Sequence, residues 1–303
     1  MYSSDLNDLI SSHDPESILK FYSNFRDQEE LVKWMRERPK GKRSLYEVEG
    51  SKDVVVVIPT KSHDSIHAKN CTDNIFKGMH IVFVESGDDN KHFNYASNCN
   101  FGMRKALEYE PKWIVLSNDD MIKIDGPKIL TSSLASLDAD RYSAVFTTTS
   151  RYHSYPLFLG YPNPVRHLYF TFSGAENRVQ AKLEKKFGVD VVVHNYGSLQ
   201  KKFFRKYVEI VNIGAFGIFS SKFVRGRGGE LFDEVYLNEF EEVDLSYEIS
   251  RISDRVATID YHIGDLIGTG LGRSTVRKYR AVASRAYFNY KIKTGLLKFQ
   301  PQS

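Results

Sequence analysis

Three polar residues, Asn118, Asp119 and Asp120, directly follow the apolar run at residues 113–116. Neighbouring carboxylates raise one another's pKa and resist burial, so such a cluster favours a bound cation. Mg²⁺ or Mn²⁺ is typically held by one or two carboxylates together with substrate phosphate oxygens. The cluster is therefore a candidate metal and diphosphate site, although acids after a strand also serve as turn and helix-capping residues.

A second acidic group, Glu241, Glu242 and Asp244, opens a predicted helix over residues 239–253. A carboxylate can act as a general base that removes a proton from a hydroxyl group. The simpler alternative is that these acids only complement the positive N-terminal end of the helix, an effect of about 0.3–1 kcal/mol each. The residues alone leave both interpretations open.

Three short apolar runs predict the strands that would position these acids. They are residues 53–58, 81–84 and 113–116, and helical patterns near 63–77 and 91–109 separate them. Alternation of strand and helix predicts βαβ units with a mostly parallel sheet flanked by helices. Ligands of such sheets bind beyond the carboxyl ends of the strands.

The first strand ends at Thr60 and the second at Glu85, with Asp88 close behind. Together with the cluster at 118–120 these exits would line one crevice.

The rest of the chain predicts a helical extension at residues 1–50 and a catalytic domain at 51–295. A substrate-side elaboration at 151–205 lies within that domain, and 296–303 is a tail. Residues 208–219 have strand character with a glycine break, and 256–261 predict a further strand. A last helix is expected over about 274–294.

Composition excludes several classes of protein. No apolar run reaches the roughly 18–20 residues of a membrane span, and the N-terminus lacks the pattern of a secretion signal. We therefore expect a cytoplasmic protein, in which Cys71 and Cys99 are reduced structural thiols. The net charge of +4 is mild, but basic residues at 201–207 and in the C-terminal segment suit an anionic partner.

Six short blocks together resemble one enzyme group, the nucleotide-sugar glycosyltransferases of family two, which have the glycosyltransferase A fold. The blocks are VVVVIPT at 54–60, NFG at 100–102, LSNDD at 116–120, NIGA at 212–215, GELFDE at 229–234 and EEVDL at 241–245. Their order along residues 53–295 is similar to that of the family. The resemblance implies this Rossmann-like fold and transfer of a sugar from a nucleoside-diphosphate donor, with inversion at the anomeric carbon.

The resemblance also implies roles for single residues. Asp120 matches the metal ligand of the family, with Asn118 and His262 as further metal candidates and Asp119 beside the ribose. Glu242 matches the catalytic base, where the family usually has aspartate, with Asp244 as the alternate and Glu241 beside them. The expected donor contacts are Thr60, Glu85, Asp88, Asn100 and Arg273.

The implied partners are a nucleoside-diphosphate sugar and an acceptor that is a glycan, a lipid-linked molecule or another hydroxyl compound. A lipid-linked acceptor would bring peripheral membrane contact, for which the basic and aromatic segment 201–207 is a candidate. Nucleic acid is a less favoured partner for the same segment. Two other functions stay open, a catalytically inactive nucleotide-sugar-binding protein of the same fold and a nucleotidyltransferase. The second alternative lacks the glycine-rich loop that it needs after the first strand.

Overall fold

The structure is a computed structural model, and it is described here in the following ranges: 5–87, 92–149, 154–159, 174–193, 207–211, 213–266 and 274–300. Its helices are α1 Asp5–Ser11, α2 Pro15–Ser23, α3 Gln28–Glu37, α4 Ile66–Asn70, α5 Tyr95–Leu107, α6 Pro127–Ala135, α7 Ala175–Lys186, α8 Ser221–Gly226, α9 Glu241–Ser250 and α10 Thr275–Lys293. Its strands are β1 Ser44–Val48, β2 Ser51–Thr60, β3 Met79–Glu85, β4 Trp113–Ser117, β5 Met121–Lys123, β6 Ala144–Thr147, β7 Ser154–Leu159, β8 Val191–Val193, β9 Tyr207–Val211, β10 Phe216–Ser220, β11 Val256–Ile259 and β12 Ile263–Asp265.

A seven-stranded mixed sheet in the order β1-β3-β2-β4-β10-β6-β11 forms the centre of the fold. Strands β3, β2 and β4 are parallel to one another, and β11 is parallel to β6. Strand β10 runs antiparallel to both of its neighbours, and β1 is antiparallel to β3. The prediction of an α/β fold with a mostly parallel sheet flanked by helices is confirmed at this level.

Strand β2 explains why its sequence is a continuous apolar run. Val54 and Val56 pack into a cluster with α4 and α6, whereas Val55 and Val57 pack into a cluster with α5 and α9. Successive side chains of a strand point to opposite faces, so a strand covered on both faces has no polar positions. All residues from 54 to 60 are buried.

The N-terminal helices pack against the last helix. The Tyr22 hydroxyl donates to the carbonyl of Tyr279 at 2.7 Å and accepts from the amide of Ala283 at 2.9 Å. Asp14 caps α2 through the amides of Glu16 and Ser17, as the Asp-Pro start of this helix predicts.

The helical prediction for residues 1–50 does not hold over its last part. The helices end at Glu37, and residues 44–48 instead form β1. This strand pairs with β3, whose outer edge would otherwise have unpaired backbone groups. The division into an extension, a domain and a tail stays a prediction.

The segment 208–219 contributes to two sheets instead of one strand. Strand β9 belongs to a small antiparallel sheet in the order β8-β7-β9, whereas β10 lies in the central sheet. Among the described residues, no helix has both the length and the apolar character that crossing a bilayer requires.

Candidate active site

The cluster Asn118, Asp119 and Asp120 lies directly beyond β4, beside the end of β2. The Thr60 hydroxyl donates to Oδ2 of Asp119 at 2.6 Å, which joins the exits of the two strands. The amide of Asn118 donates to the carbonyl of Ala215 at 2.9 Å, which ties the cluster to the start of β10. The exits of β2 and β4 therefore lie side by side, with Thr60 in contact with the acidic cluster.

Asp119 is partly buried next to a second carboxylate, that of Asp120. Burial raises the pKa of Asp119, the charge of Asp120 raises it further, and the hydrogen bond from Thr60 opposes both effects. The thiol of Cys71 donates to the carbonyl of Asp119 at 3.3 Å, and burial followed by these two acids raises the pKa of that thiol to about 12. A cation at this place would relieve the repulsion between the carboxylates.

Tyr95, in the first turn of α5, connects the two acidic groups. Its hydroxyl donates to Oδ1 of Asn118 at 2.9 Å and lies 3.3 Å from the carbonyl of Gly214. Burial raises the pKa of Tyr95 well above its usual value, and the nearby charges of Glu241 and Glu242 add to the effect. The amide of Tyr95 donates to Oδ1 of Asn238 in the turn before α9 at 2.6 Å, so Tyr95 contacts both the strand exit and the segment that leads into α9.

Glu242 is partly buried in the first turn of α9. Burial raises its pKa to about 7, the charge of Glu239 adds to the rise, and Arg277 opposes it. Arg277 forms an ion pair with Glu239, with 2.5 Å between Nε and Oε1. A carboxylate with a pKa near 7 can both accept and release a proton under ordinary conditions.

The backbone before α9 adopts an unusual conformation. Asn238 and Phe240 both have positive φ, 59° and 76°, which costs of order 1–3 kcal/mol for residues other than glycine. Packing compensates, because the Phe240 ring makes an edge contact with Phe288 of α10 at 5.7 Å between centroids. The turn fixes the direction in which the first acids of α9 point.

The other two acids in the first turn of α9 are buried. Nζ of Lys291 lies 2.5 Å from Oδ2 of Asp244 and 3.1 Å from Oδ2 of Asp233, and the Tyr236 hydroxyl lies 3.1 Å from the same Asp244 oxygen. Asp244 is therefore held in an internal ion pair, so the alternate base role expected for it is not supported by its surroundings. Glu241 is 4% exposed, and burial raises its pKa well above the usual value.

Asn100 has a structural role that differs from the donor contact expected for it. Its Oδ1 accepts from the amides of Leu231 and Phe232 at 2.8 and 2.9 Å, and its Nδ2 donates to Phe232 and Glu234. The side chain is fully buried, so all of its hydrogen-bonding groups hold the turn at 231–234.

The glycine of the NFG block, Gly102, has a packing role. A Cβ there would lie 2.4 Å from Val57 and 2.7 Å from Val84, so only glycine lets α5 pack this closely on the sheet.

Glu85 lies at the end of β3, as expected, and contacts the loop after β2. Its Oε1 accepts from the amide of His63 at 2.8 Å and lies 2.7 Å from the His63 Nδ1. Burial would raise the pKa of Glu85, but the hydrogen bonds from His63 outweigh burial and the pKa is lowered. The Tyr46 ring stacks on His63 with 3.5 Å between centroids. The result is an aromatic wall beside the exits of β2 and β3.

His262 is not brought to Asp120. Its Nδ1 lies 3.1 Å from Oδ2 of Asp125, and β12 pairs with β5 so that His262 falls opposite Ile124. That position is four residues from Asp120, or about 13 Å along a strand at about 3.3 Å per residue. Instead, the pairing places Asp265 opposite Met121, and the amide of the next residue, Leu266, donates to the carbonyl of Asp120.

The expected metal can be tested against the donor atoms present. Asp119 and Asp120 supply carboxylate oxygens, which suit a hard divalent cation that takes its other ligands from phosphate and water. Within the described ranges, no three His, Cys, Asp or Glu side chains converge as a metal-binding group. The residues therefore fit a cation that shares its coordination with a substrate. Two predicted donor contacts, Asp88 and Arg273, lie outside the described residues.

Tyr95 and Glu239 are the site residues that the sequence interpretation missed. Tyr95 follows Asn94, which caps α5 by accepting from the amide of Ser97. That capping pattern marks a helix start at a strand exit, and it is the one signal that could have drawn attention to Tyr95. Glu239 lies outside the acidic block, and only its ion pair with Arg277 connects it to Glu242.

Comparison with known proteins adds no family to this description. No family model matches the chain, and no curated protein is significantly similar to it in sequence. The resemblance to glycosyltransferases thus depends on short motifs, and the geometry around Tyr95 carries the functional argument.

Proposed function

We propose that the protein is a metal-dependent inverting glycosyltransferase that moves a sugar from a nucleoside-diphosphate donor to a hydroxyl acceptor. The observation that carries the proposal is that Tyr95 hydrogen-bonds both to Asn118 of one acidic group and to Asn238 in the turn directly before the other. One group, Asp119 and Asp120, suits a cation and a diphosphate. The other supplies Glu242, a carboxylate whose pKa is near 7. Displacement of a nucleoside diphosphate needs one group of each kind.

The donor side of the reaction is assigned to the exits of β2, β3 and β4. Asp119 and Asp120 would hold Mn²⁺ or Mg²⁺, which when bound neutralises charge on the leaving diphosphate. Thr60 keeps Asp119 in place, and Tyr95 fixes the amide of Asn118. With its oxygen engaged by Tyr95, Asn118 presents its NH₂ group, a donor that suits an oxygen of the ribose or the diphosphate.

The acceptor side of the reaction is assigned to Glu242. Its carboxylate takes the proton of the acceptor hydroxyl while the new bond forms between that oxygen and the anomeric carbon. The bond from the anomeric carbon to the diphosphate breaks at the same time, and its electron pair leaves with the nucleoside diphosphate. A single displacement of this kind inverts the anomeric carbon.

The finer features of the proposal follow from the motif resemblance. They are the glycosyltransferase A fold, a cytoplasmic location, and a glycan or lipid-linked acceptor, the last with peripheral membrane contact. The mixed sheet with helices on both faces supports the fold.

A thermal-shift screen against nucleoside-diphosphate sugars, with and without Mn²⁺, tests the donor side first. We expect stabilisation by one donor class that increases with the cation, since a ligand that binds only the folded state raises the melting temperature. Asp120→Asn should abolish the cation-dependent part. Asp140→Asn is the matched control, because Asp140 is exposed and pairs only with Lys222 among the described residues.

Transfer is then measured with the donor class that binds. Binding without transfer or hydrolysis would favour the catalytically inactive alternative. Stabilisation by no donor, with or without Mn²⁺, would refute the proposal.

A further inference from the structure

A groove opens at the edge of the central sheet opposite to the candidate active site. It lies at the N-terminal ends of β2, β3 and β4, along one face of α6. A bulge in β2 shapes it: Ser51 pairs with Met79 and Val55 with His80, so residues 52–54 are extra on the β2 side. Bulges bend a strand away from its neighbour and are common beside functional sites.

Three lysines surround the groove, one from each of three segments. Lys77 precedes β3, Lys112 precedes β4 and Lys128 lies in the first turn of α6. All three are exposed, and none forms an ion pair with a described residue. Asp53 is the one acidic residue of the described lining. The field in the groove therefore favours an anion.

The floor of the groove is apolar, and its volume is that of a small-molecule site. Val54, Met79 and Trp113 line it, and the volume is about 510 Å³. Small-molecule pockets are commonly about 300–1,000 Å³, mostly apolar with a few polar groups. An inorganic phosphate would leave most of this space and its apolar floor unused.

We propose that this groove is a binding site for a small amphiphilic anion, with a phosphate or carboxylate among Lys77, Lys112 and Lys128 and an apolar body on the floor. The site is separate from the acids beyond the strand ends, so the inference does not depend on the proposed transferase function.

Titration calorimetry with octyl phosphate tests the site on the full chain. Octyl phosphate should bind with one equivalent, while inorganic phosphate and octyl glucoside should bind at least tenfold more weakly, because each lacks one half of the ligand chemistry. Equal binding of octyl phosphate and octyl glucoside would overturn the role of the lysines. Absence of octyl phosphate binding would overturn the site.

Variants locate the binding. Lys112→Ser should weaken octyl phosphate binding about two- to fivefold, the effect of one exposed charge pair, and the triple serine variant should weaken it further. Ala135→Phe should block the groove, since Ala135 is an exposed residue of α6 on its wall. Lys33→Ser is the matched control, because Lys33 is exposed on α3, away from the groove.

Melting curves of all variants exclude unfolding as the cause. Unchanged binding in the triple variant or in Ala135→Phe would overturn the assignment. Asp119→Asn should leave octyl phosphate binding unchanged, which separates this test from that of the proposed function.

Discussion

Two acids on opposite faces of α9 have different environments. Glu242 is partly buried, and burial together with the charge of Glu239 raises its pKa to about 7 against the opposing charge of Arg277. Asp244 is two residues further on and forms a buried ion pair with Lys291. The helix periodicity of 3.6 residues sends these side chains in different directions.

The difference teaches that an acidic block does not identify its own catalytic member. Burial raises the pKa of Asp244 although Lys291 opposes the rise, but Lys291 and the Tyr236 hydroxyl already occupy its Oδ2, so this oxygen is not available to take a proton from a substrate. Glu242, whose pKa burial and the like charge of Glu239 raise to about 7, is better suited to accept a proton. The partners of each acid come from distant parts of the chain, α10 above all. If this difference holds, substitution of Glu242 should reduce catalysis, whereas substitution in the Asp244–Lys291 pair should reduce stability.

The largest effect is expected for Glu242→Gln. The amide keeps the shape of the side chain but cannot accept the acceptor proton, so kcat/KM for transfer should fall about 10²–10⁴-fold. Donor binding and the free energy of unfolding should change little. Full activity in this variant would show that Glu242 is not the base.

Lys291→Met tests the opposite face. It leaves Asp244 buried without its ion-pair partner, and the free energy of unfolding should fall by about 3–5 kcal/mol. Urea unfolding measures this value. The double variant Lys291→Met with Asp244→Leu should recover most of the loss, because it removes the unpaired charge as well. Loss of transfer without loss of stability in Asp244→Leu would contradict the division.

Tyr95→Phe tests the link between the two acidic groups. The variant keeps the ring but removes the hydroxyl that donates to Asn118, so kcat/KM should fall roughly two- to thirteenfold, which corresponds to the loss of about 0.5–1.5 kcal/mol. Because the amide of Asn118 is then free to turn, we expect the loss mainly as a higher KM for the donor. An unchanged KM would mean that Asn118 does not contact the donor.

The smallest effect is expected for Glu239→Gln, which tests whether the charge of Glu239 raises the pKa of Glu242. A base must be deprotonated, so kcat/KM should rise with pH to a plateau, with a midpoint near the Glu242 pKa of about 7. Removing the charge of Glu239 lowers that pKa and frees Arg277 to lower it further, so the midpoint should move to lower pH. Arg277→Gln should move it to higher pH, and a shift in the same direction for both variants would contradict the assignment.

The sequence predicted the strand exits well because strands carry a local signal. The runs before Thr60, Glu85 and Asn118 are apolar and β-branched, and the rule that ligands collect at carboxyl ends needs no tertiary detail. It also drew attention to the two acidic groups, whose chemical roles stay predictions. It failed for Asn100, whose polar side chain holds a backbone turn, and for His262, which lies at the end of the β5–β12 pair away from Asp120.

What the sequence by itself determined is therefore the α/β class, the polar ends of the strands and the helix that carries the second acidic group. All of these follow from periodicity and capping within short segments. Only the tertiary structure decided which acid has a partner: Tyr95 reaches Asn118, and Lys291 reaches Asp244 across a separation of 47 residues. The physical reason is that pKa values and hydrogen bonds depend on distances between side chains, and no local pattern encodes those distances.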